Sequence, residues 1–562
     1  MKPLYDALLE YSERVASAFH MPGHKLGRAF GADGAFMSPA RIDVTELDAT
    51  DDLHCPEGPL LTAQTLAASA FGAGRTWFLV NGSSCGIFAM IAANCKPGQK
   101  LLIARDFHYS AYNAMRFARV APVYAPAPDY NTNDDSVFTE QVYRALSRHP
   151  DAAALYLTRP GYYGGACDIA GISRLAHGAG IPLLVDEAHG AHLAFSRRLP
   201  ICALEGGADF CVQSAHKTLP AFTQCAYAHV STETVSRDAA AAERFGEALR
   251  SFQTSSPSFI LTASLDYARE YMMERGEREL DRILNDCENF YARMADAGYG
   301  IPGDIYKNAS HAGVPGGIYK NASHAGVPGD IYKNASRAGV PQISGAGAAP
   351  PRRYGRDMTR LTLDTTPLGL SGAETDRLLW ERYNIKIEMS DPRNIVMIST
   401  VADSDEDFEK LAAALEGIAA GRKFSMPAEA KNMSADIQFD SSEPHLAPDF
   451  FTDLHTLKRF APLEQSAGLC AADFVTPYPP GVPVLCPGER ITREAVDKTL
   501  LYIAAGARVK GVHAISAQKP DKSKVSAGVC QTDDADAWEI LTFVPDSNSG
   551  LPANIHYKGA VE

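Results

Sequence analysis

Several reactive side chains in this chain each follow a short apolar run, and their types suit chemistry on a carbonyl carbon. Lys217 lies in QSAHKTLPAF, behind the strand-like run FCVQSA (210–215). A lone lysine is ordinarily a surface cation, but Ser214 and His216 flank this one with hydrogen-bond donors suited to a phosphate. A lysine amine held there forms an imine with an aldehyde, and burial beside other cations favours its neutral form. Asp186 and Glu187 end LLVDE, where a helix cap is the plain alternative. A carboxylate at that point pairs with a protonated pyridine nitrogen and keeps the ring an electron sink. His189 is placed to orient Asp186 or to hydrogen-bond the ring, unless it is a satisfied structural histidine. Gly82, Ser83 and Ser84 follow TWFLV (76–80) and open a helix. That is either a phosphate cradle, through backbone N–H groups and the helix dipole, or simple capping. His108 follows KLLIA (100–104), where it can stack on an aromatic ring or cap the next helix.

These positions need a scaffold that delivers them to one side. TWFLV, KLLIA, VAPVYAP, AAALYLT (152–158), IPLLVDE (181–187), FCVQSA and CAYAHV (225–230) are short apolar runs separated mostly by helical or turn-rich stretches. That alternation predicts a mainly parallel sheet covered on both faces, the doubly wound α/β class. Ligands of such sheets bind beyond the carboxyl ends of the strands, where NGSS, DFHYS, RPGYYG, DEAHG and SAHK all fall. The expected organisation is an N-terminal helix and arm over 1–60 and a large domain over 61–297. A small α/β domain over 346–435 and a C-terminal domain over 436–562 follow. Between them, 298–345 holds a 13-residue unit, IPGDIYKNASHAG, repeated three times from 301 to 339. Each copy offers only Ile, Tyr and Val as apolar content beside a Pro-Gly, too little to offset backbone ordering, so a loop insertion is expected.

The 562 residues suffice for two or three domains, and 46% hydrophobic with 21% charged residues is ordinary for a soluble globular protein. Fifty-three basic against 67 acidic residues give a net charge of -14, which argues against nucleic acid or an anionic membrane as partner. The N-terminus reads as an amphipathic helix and not as a signal peptide, and no run reaches the length of a membrane span. Eleven scattered cysteines, without CxxC or zinc-like spacing, suggest reduced thiols in the cytoplasm and no metal site.

The stretches MPGHK (21–25), ELDATDDLHCPEG (46–58), NGSSCG (81–86), RDFHYS (105–110), RPGYYG (159–164), VDEAHG (185–190), QSAHK (213–217), QTSSPS (253–258) and TPYPPGVPVLCPGE (476–489) occur in this order. Together they resemble the Orn/Lys/Arg decarboxylase family, fold type I enzymes related to aspartate aminotransferase. The resemblance implies pyridoxal 5'-phosphate held by Lys217 as a Schiff base. Ser83, Ser84, Ser214 and His216 would hold its phosphate, His108 would cover one ring face, Asp186 would pair with the ring nitrogen and His189 would lie beside it. It also implies a homodimer with shared sites, or a tetramer as the larger alternative. The loop carrying Ser255 would reach the neighbour's phosphate. The chain looks like the short form without an N-terminal wing domain, for which a decamer is not expected. Tyr109 and Gly161 depart from the family's usual Lys and Thr, which puts substrate identity in doubt.

The activity so implied is decarboxylation of a basic amino acid, arginine, lysine or ornithine. Holding the Cα–carboxylate bond perpendicular to the ring selects that bond for cleavage. Lys217 and His216 are both candidates to return a proton to Cα. A cationic substrate head needs an acid, with Glu388 and the acids of 46–57 as candidates. The competing readings are an aminotransferase or lyase acting on a non-basic amino acid, and a catalytically silent regulator that kept the fold.

Overall fold

A computed structural model describes residues 1–31, 34–126, 135–302, 355–421, 458–478, 482–504, 508–514 and 538–543. All of the repeat unit beyond residue 302, and Pro479 to Gly481 of the YPPG turn, lie outside the described residues.

The chain begins with helix α1 (Pro3–Arg14), which buries Leu4 and Leu8 and is pinned where Asp266 accepts from the Leu4 N–H at 3.0 Å. After a turn-rich arm with the short helix α2 (Gly34–Ala40), helix α3 (Pro59–Phe71) starts with Pro at its first turn and stops at Gly72. Asp51 organises the entry to α3. Its carboxylate accepts from the N–H groups of Asp52, Glu57, Gly58 and Leu60, and these bonds hold it below the usual carboxylate range against the opposing effect of burial. That acid of the 46–57 loop is committed to backbone.

The apolar runs form one seven-stranded sheet: β1 (Ala73–Leu79), β2 (Lys100–Ala104), β3 (Ala121–Ala125), β4 (Ala152–Thr158), β6 (Leu183–Asp186), β7 (Phe210–Gln213) and β8 (Ala226–Ser231), in the order β1-β8-β7-β6-β4-β2-β3. A two-residue strand, β5 (Gly165–Ala166), pairs instead with Gly355–Arg356. The pairs from β3 to β7 are parallel, whereas β8 runs antiparallel to both β7 and β1. Helices α4 (Gly82–Asn94) and α5 (Tyr109–Ala118) follow β1 and β2. Gly86 lets α4 lie close on the sheet, because a Cβ there would come within 2.9 Å of Leu79 and Val212. Two apolar cores, one on each face, enclose the sheet, so β4, β6 and β7 are buried on both sides.

Helices Phe259–Tyr271 and Glu277–Asp296 lead to the small domain, a three-stranded sheet of Arg360–Asp364, Asn394–Ile398 and Met389–Ser390. Helices Gly372–Tyr383 and Asp405–Ala420 complete it, each started by a serine cap, Ser371 and Ser404. The described C-terminal elements are the sheet of Lys458–Pro462, Trp538–Phe543 and Val512–Ala514, the pair Thr476–Tyr478 with Arg508–Lys510, and helix Arg493–Ala504. All ten described cysteines are free thiols.

Candidate active site

The parallel register sets Thr158, Asp186 and Val212 side by side at the carboxyl ends of β4, β6 and β7. Strand alternation then separates the two neighbouring acids. Glu187 turns into the core, where it accepts from the Ala203 N–H at 2.8 Å and the Gln213 amide at 2.8 Å, 3.6 Å from buried Arg159. Asp186 faces the site. It is 2% exposed, with Oδ1 accepting from the Ala188 N–H at 3.1 Å and Oδ2 from the Tyr156 hydroxyl at 3.1 Å. Both partners are neutral. Burial raises its pKa, and the charge of Lys217 is the largest influence opposing that.

Lys217 sits on the four-residue helix Ala215–Thr218 that follows β7. Burial lowers its pKa, with Asp186 and Glu388 acting in the other direction and Arg360 adding to the fall. Its Nζ lies 3.0 Å from His189 Nε2. His189 therefore does not serve to orient Asp186. It bridges Lys217 and Arg360, whose Nη2 is 2.7 Å from His189 Nδ1, and the ring of Tyr162 meets it edge-on at 4.8 Å.

Ser83 and Ser214 come together from α4 and the end of β7, with their hydroxyl oxygens 2.8 Å apart. Gly82, with φ of +75°, makes the turn that starts α4. Ser84 stands half-buried in the same first turn. His216 is half-buried too, and its Nδ1 is 3.0 Å from the Cys225 carbonyl oxygen, so the ring's proton is engaged there. Its other nitrogen donates to a phosphate only in the doubly protonated form, which burial disfavours. His108 caps α5, accepting from the Ser110 N–H at Nδ1, and burial with the nearby Lys217 charge lowers its pKa to about 4. It presents a neutral ring beside Lys217. Ser255 is exposed in a loop tied to its own chain, where Asn81 accepts from the Thr254 N–H at 3.2 Å and His54 contacts the Thr254 carbonyl at 2.8 Å.

Four contributors carried no assigned role in the sequence. Tyr156 sits inside AAALYLT and reads as a core aromatic. Arg360 lies beyond the repeats in the strand-like run MTRLTLDT (358–365) of the small α/β domain, where nothing marks it for the site. Arg105 and Glu489 do belong to recognisable stretches, RDFHYS and CPGE. Arg105 donates to the Pro483 carbonyl at 3.0 Å and to Glu489 Oε2 at 3.1 Å, fastening the C-terminal segment to the residues just before His108.

The donor set fits pyridoxal 5'-phosphate. Asp186 is a buried carboxylate with only neutral hydrogen-bond partners, so a protonated ring nitrogen would supply a countercharge. Two hydroxyls and the first turn of α4 form an anion cradle, and burial together with Arg360 favours the neutral form of the lysine over the pull of Asp186 and Glu388.

A family model described as "Orn/Lys/Arg decarboxylase, major domain" matches residues 2–307, and one described as its C-terminal domain matches residues 450–510. The chain belongs to the Orn/Lys/Arg decarboxylase family. It is 33% identical to an arginine decarboxylase of Bacillus subtilis over 523 residues, covering 91% of this chain and 95% of the relative. Identity to the constitutive lysine decarboxylase of Escherichia coli is 24%, covering 91% and 78%. The solved structure of lysine decarboxylase A from Pseudomonas aeruginosa matches with a TM-score of 0.70 at 20% identity, covering 96% of this chain and 80% of that one. The expected α/β fold of type I and the use of pyridoxal 5'-phosphate both stand. This family member is an amino-acid decarboxylase. Among the described residues no helix is long and apolar enough to cross a membrane.

Proposed function

We propose that this decarboxylase of basic amino acids acts on arginine, releasing carbon dioxide and agmatine. The observation that carries the reading of a basic substrate is the placement of Glu388. Its Oε1 accepts from the Tyr162 hydroxyl at 2.6 Å, the Tyr162 ring abuts His189, and the Glu388 charge is felt at both Lys217 and Arg360. The second carboxylate oxygen is left to accept from the cationic head of a basic substrate at the rim of the site, guanidinium or ammonium alike. The Bacillus relatives named arginine decarboxylase, 32–33% identical over most of the chain, support arginine among these.

When bound, pyridoxal 5'-phosphate supplies an aldehyde and a ring that accepts the electron pair of the broken Cα–carboxylate bond. The chain's own residues do the rest. Lys217 supplies the amine that carries the cofactor and gives way to the substrate amine. Ser83, Ser84 and Ser214 hold the phosphate, with His216 adding a donor when protonated. Asp186, kept in place by Tyr156 and the Ala188 N–H, holds a proton on the ring nitrogen. His108 would cover one ring face with a neutral imidazole and exclude water. His189 would lie beside the ring, and Lys217 or His216 would return a proton to Cα. The working unit is a homodimer in the cytoplasm, with the Ser255 loop contributed across the interface.

The test is to supply purified enzyme with arginine, lysine, ornithine and non-basic amino acids, measuring carbon dioxide and the amine formed. Agmatine as the main product supports the assignment, and cadaverine or putrescine in its place refutes it. Glu388→Gln should raise KM for arginine about tenfold while changing kcat far less, as expected for loss of one partly solvated charged contact. An unchanged KM would remove Glu388 from the specificity site.

A further inference from the structure

His189 stands between two basic side chains, and the chemistry of one fixes the protonation of the other. Arg360 is fully buried and places Nη2 2.7 Å from His189 Nδ1. A guanidinium has N–H donors only and keeps its proton at any pH a folded protein tolerates. The contact therefore requires a lone pair on Nδ1. A neutral imidazole with a bare Nδ1 carries its proton on Nε2, and that proton points at Lys217 Nζ, 3.0 Å away. Nζ then has to accept, which only a neutral amine can do. The reverse assignment, a lysine ammonium donating to Nε2, would leave both ring nitrogens bare, an imidazolate. A doubly protonated ring would set an N–H against the guanidinium.

From this geometry we infer that Arg360 is a positioning residue that locks His189 in the Nε2–H tautomer and so holds unbound Lys217 as a neutral amine. That is the state needed each time the lysine captures the aldehyde. Nζ bonds to the carbonyl carbon as the C=O bond breaks, and the two amine protons leave with the oxygen as water. The inference rests on Lys217 being the cofactor lysine. Arg360 has no carboxylate within hydrogen-bonding distance among the described residues, and its Nε and Nη1 meet no hydrogen-bond partner there. Asp357 and Glu388 compensate this buried cation from beyond hydrogen-bonding distance, and the histidine contact gives it a use. The other charged or titratable groups acting on this cluster are Asp186 and Glu388, which favour the ammonium, Asp357, Tyr162 and Glu388, which favour the Arg360 guanidinium, and His108 and His216, together with Lys510 acting on His108. Burial, Lys217 and Arg360 all push His189 well below its ordinary value, so the ring stays neutral across the working range.

The test uses the full chain with 15N-labelled histidine, stripped of cofactor. Nitrogen NMR reports which ring atom of His189 carries the proton, with His189 assigned from the signals missing in His189→Asn. The expected result is Nε2–H with a bare Nδ1, unchanged from pH 6 to 9. In Arg360→Gln, whose amide can donate or accept, an Nδ1–H population should appear. The pH midpoint for formation of the yellow band with pyridoxal 5'-phosphate should rise by a unit or more, slowing capture at pH 7 about tenfold per unit. Arg360→Lys, which keeps a donor-only cation, should restore both. A wild-type His189 protonated on Nδ1 or on both nitrogens overturns the inference, and so does an unchanged tautomer in Arg360→Gln. The wild-type spectrum stands even if a variant misfolds. A wild-type Nε2–H tautomer without any yellow band would overturn the cofactor role of Lys217 and leave the Arg360 assignment in place.

Discussion

Truncating Glu489 should loosen the C-terminal segment from the large domain, and the size of the effect can be worked from the contacts. Its side chain is 6% exposed and that of Arg105 11%. Arg105 Nη2 lies 3.1 and 3.3 Å from the two carboxylate oxygens, and Nη1 donates to the Pro483 carbonyl at 3.0 Å. Glu489 Oε2 also accepts from the Cys486 N–H at 2.8 Å. Nearby, the Tyr112 hydroxyl donates to the Pro487 carbonyl. Glu489→Ala leaves a guanidinium buried against carbonyls alone. Breaking a buried ion pair by removing one partner costs about 3–5 kcal/mol. Tenfold corresponds to about 1.4 kcal/mol, so amides held by local opening of this segment should exchange roughly a hundred to a few thousand times faster. Hydrogen exchange followed by mass spectrometry on peptides covering 469–491 reads this directly, since the Leu485 and Ile491 N–H groups bond to Val475 and Leu469. Replacing both partners, Arg105→Met with Glu489→Met, removes the stranded charge and should return exchange to within about tenfold of wild type. If the double variant exchanges as fast as the product of the single Arg105→Met and Glu489→Met effects predicts, the residues are uncoupled and the clamp is not what holds the segment. Because Arg105 lies three residues before His108, Glu489→Ala should also lower kcat.

Ser83→Ala and Ser214→Ala should each weaken cofactor binding by about 1–2 kcal/mol, a five- to thirtyfold rise in Kd by spectrophotometric titration. Their hydroxyls touch at 2.8 Å, so the double variant should fall short of the summed effect. Asp209 has its pKa lowered from 3.8 to about 2 because bonds from His177, Thr234, the Leu183 N–H and Arg237 outweigh burial. A folded value below the unfolded one adds stability that is complete above pH 3.8 and is lost as pH falls through about 2. That amounts to at most about 2.4 kcal/mol, reduced by solvent screening at the half-exposed Arg237. Asp209→Asn should therefore lower the urea midpoint clearly at pH 6 and by only about half as much at pH 3. An equal loss at both would assign the effect to packing.

Some of the site was legible because type and spacing coincide with strand ends. Lys217, Asp186, His108 and Ser83 each follow an apolar run, and a parallel sheet gathers such positions on one edge whatever the loops do. Asp186 and Glu187 show where legibility stops. Both end the same run, and only the pleat decides that one faces the ligand while the other sinks beside Arg159 and Gln213. His189 lies beside Lys217, yet its other partner could not be read from the sequence. Arg360 is 171 residues away, in a domain whose docking on the large sheet no local pattern encodes. Tyr156 is hidden for the opposite reason. Inside a buried strand a tyrosine looks like any aromatic until its hydroxyl is seen to reach a carboxylate. The residues proposed to perform the chemistry are thus the more readable ones, since each has a functional group with few alternative uses. Those that set protonation and orientation act through long-range packing, and their side-chain types alone give no reason to single them out.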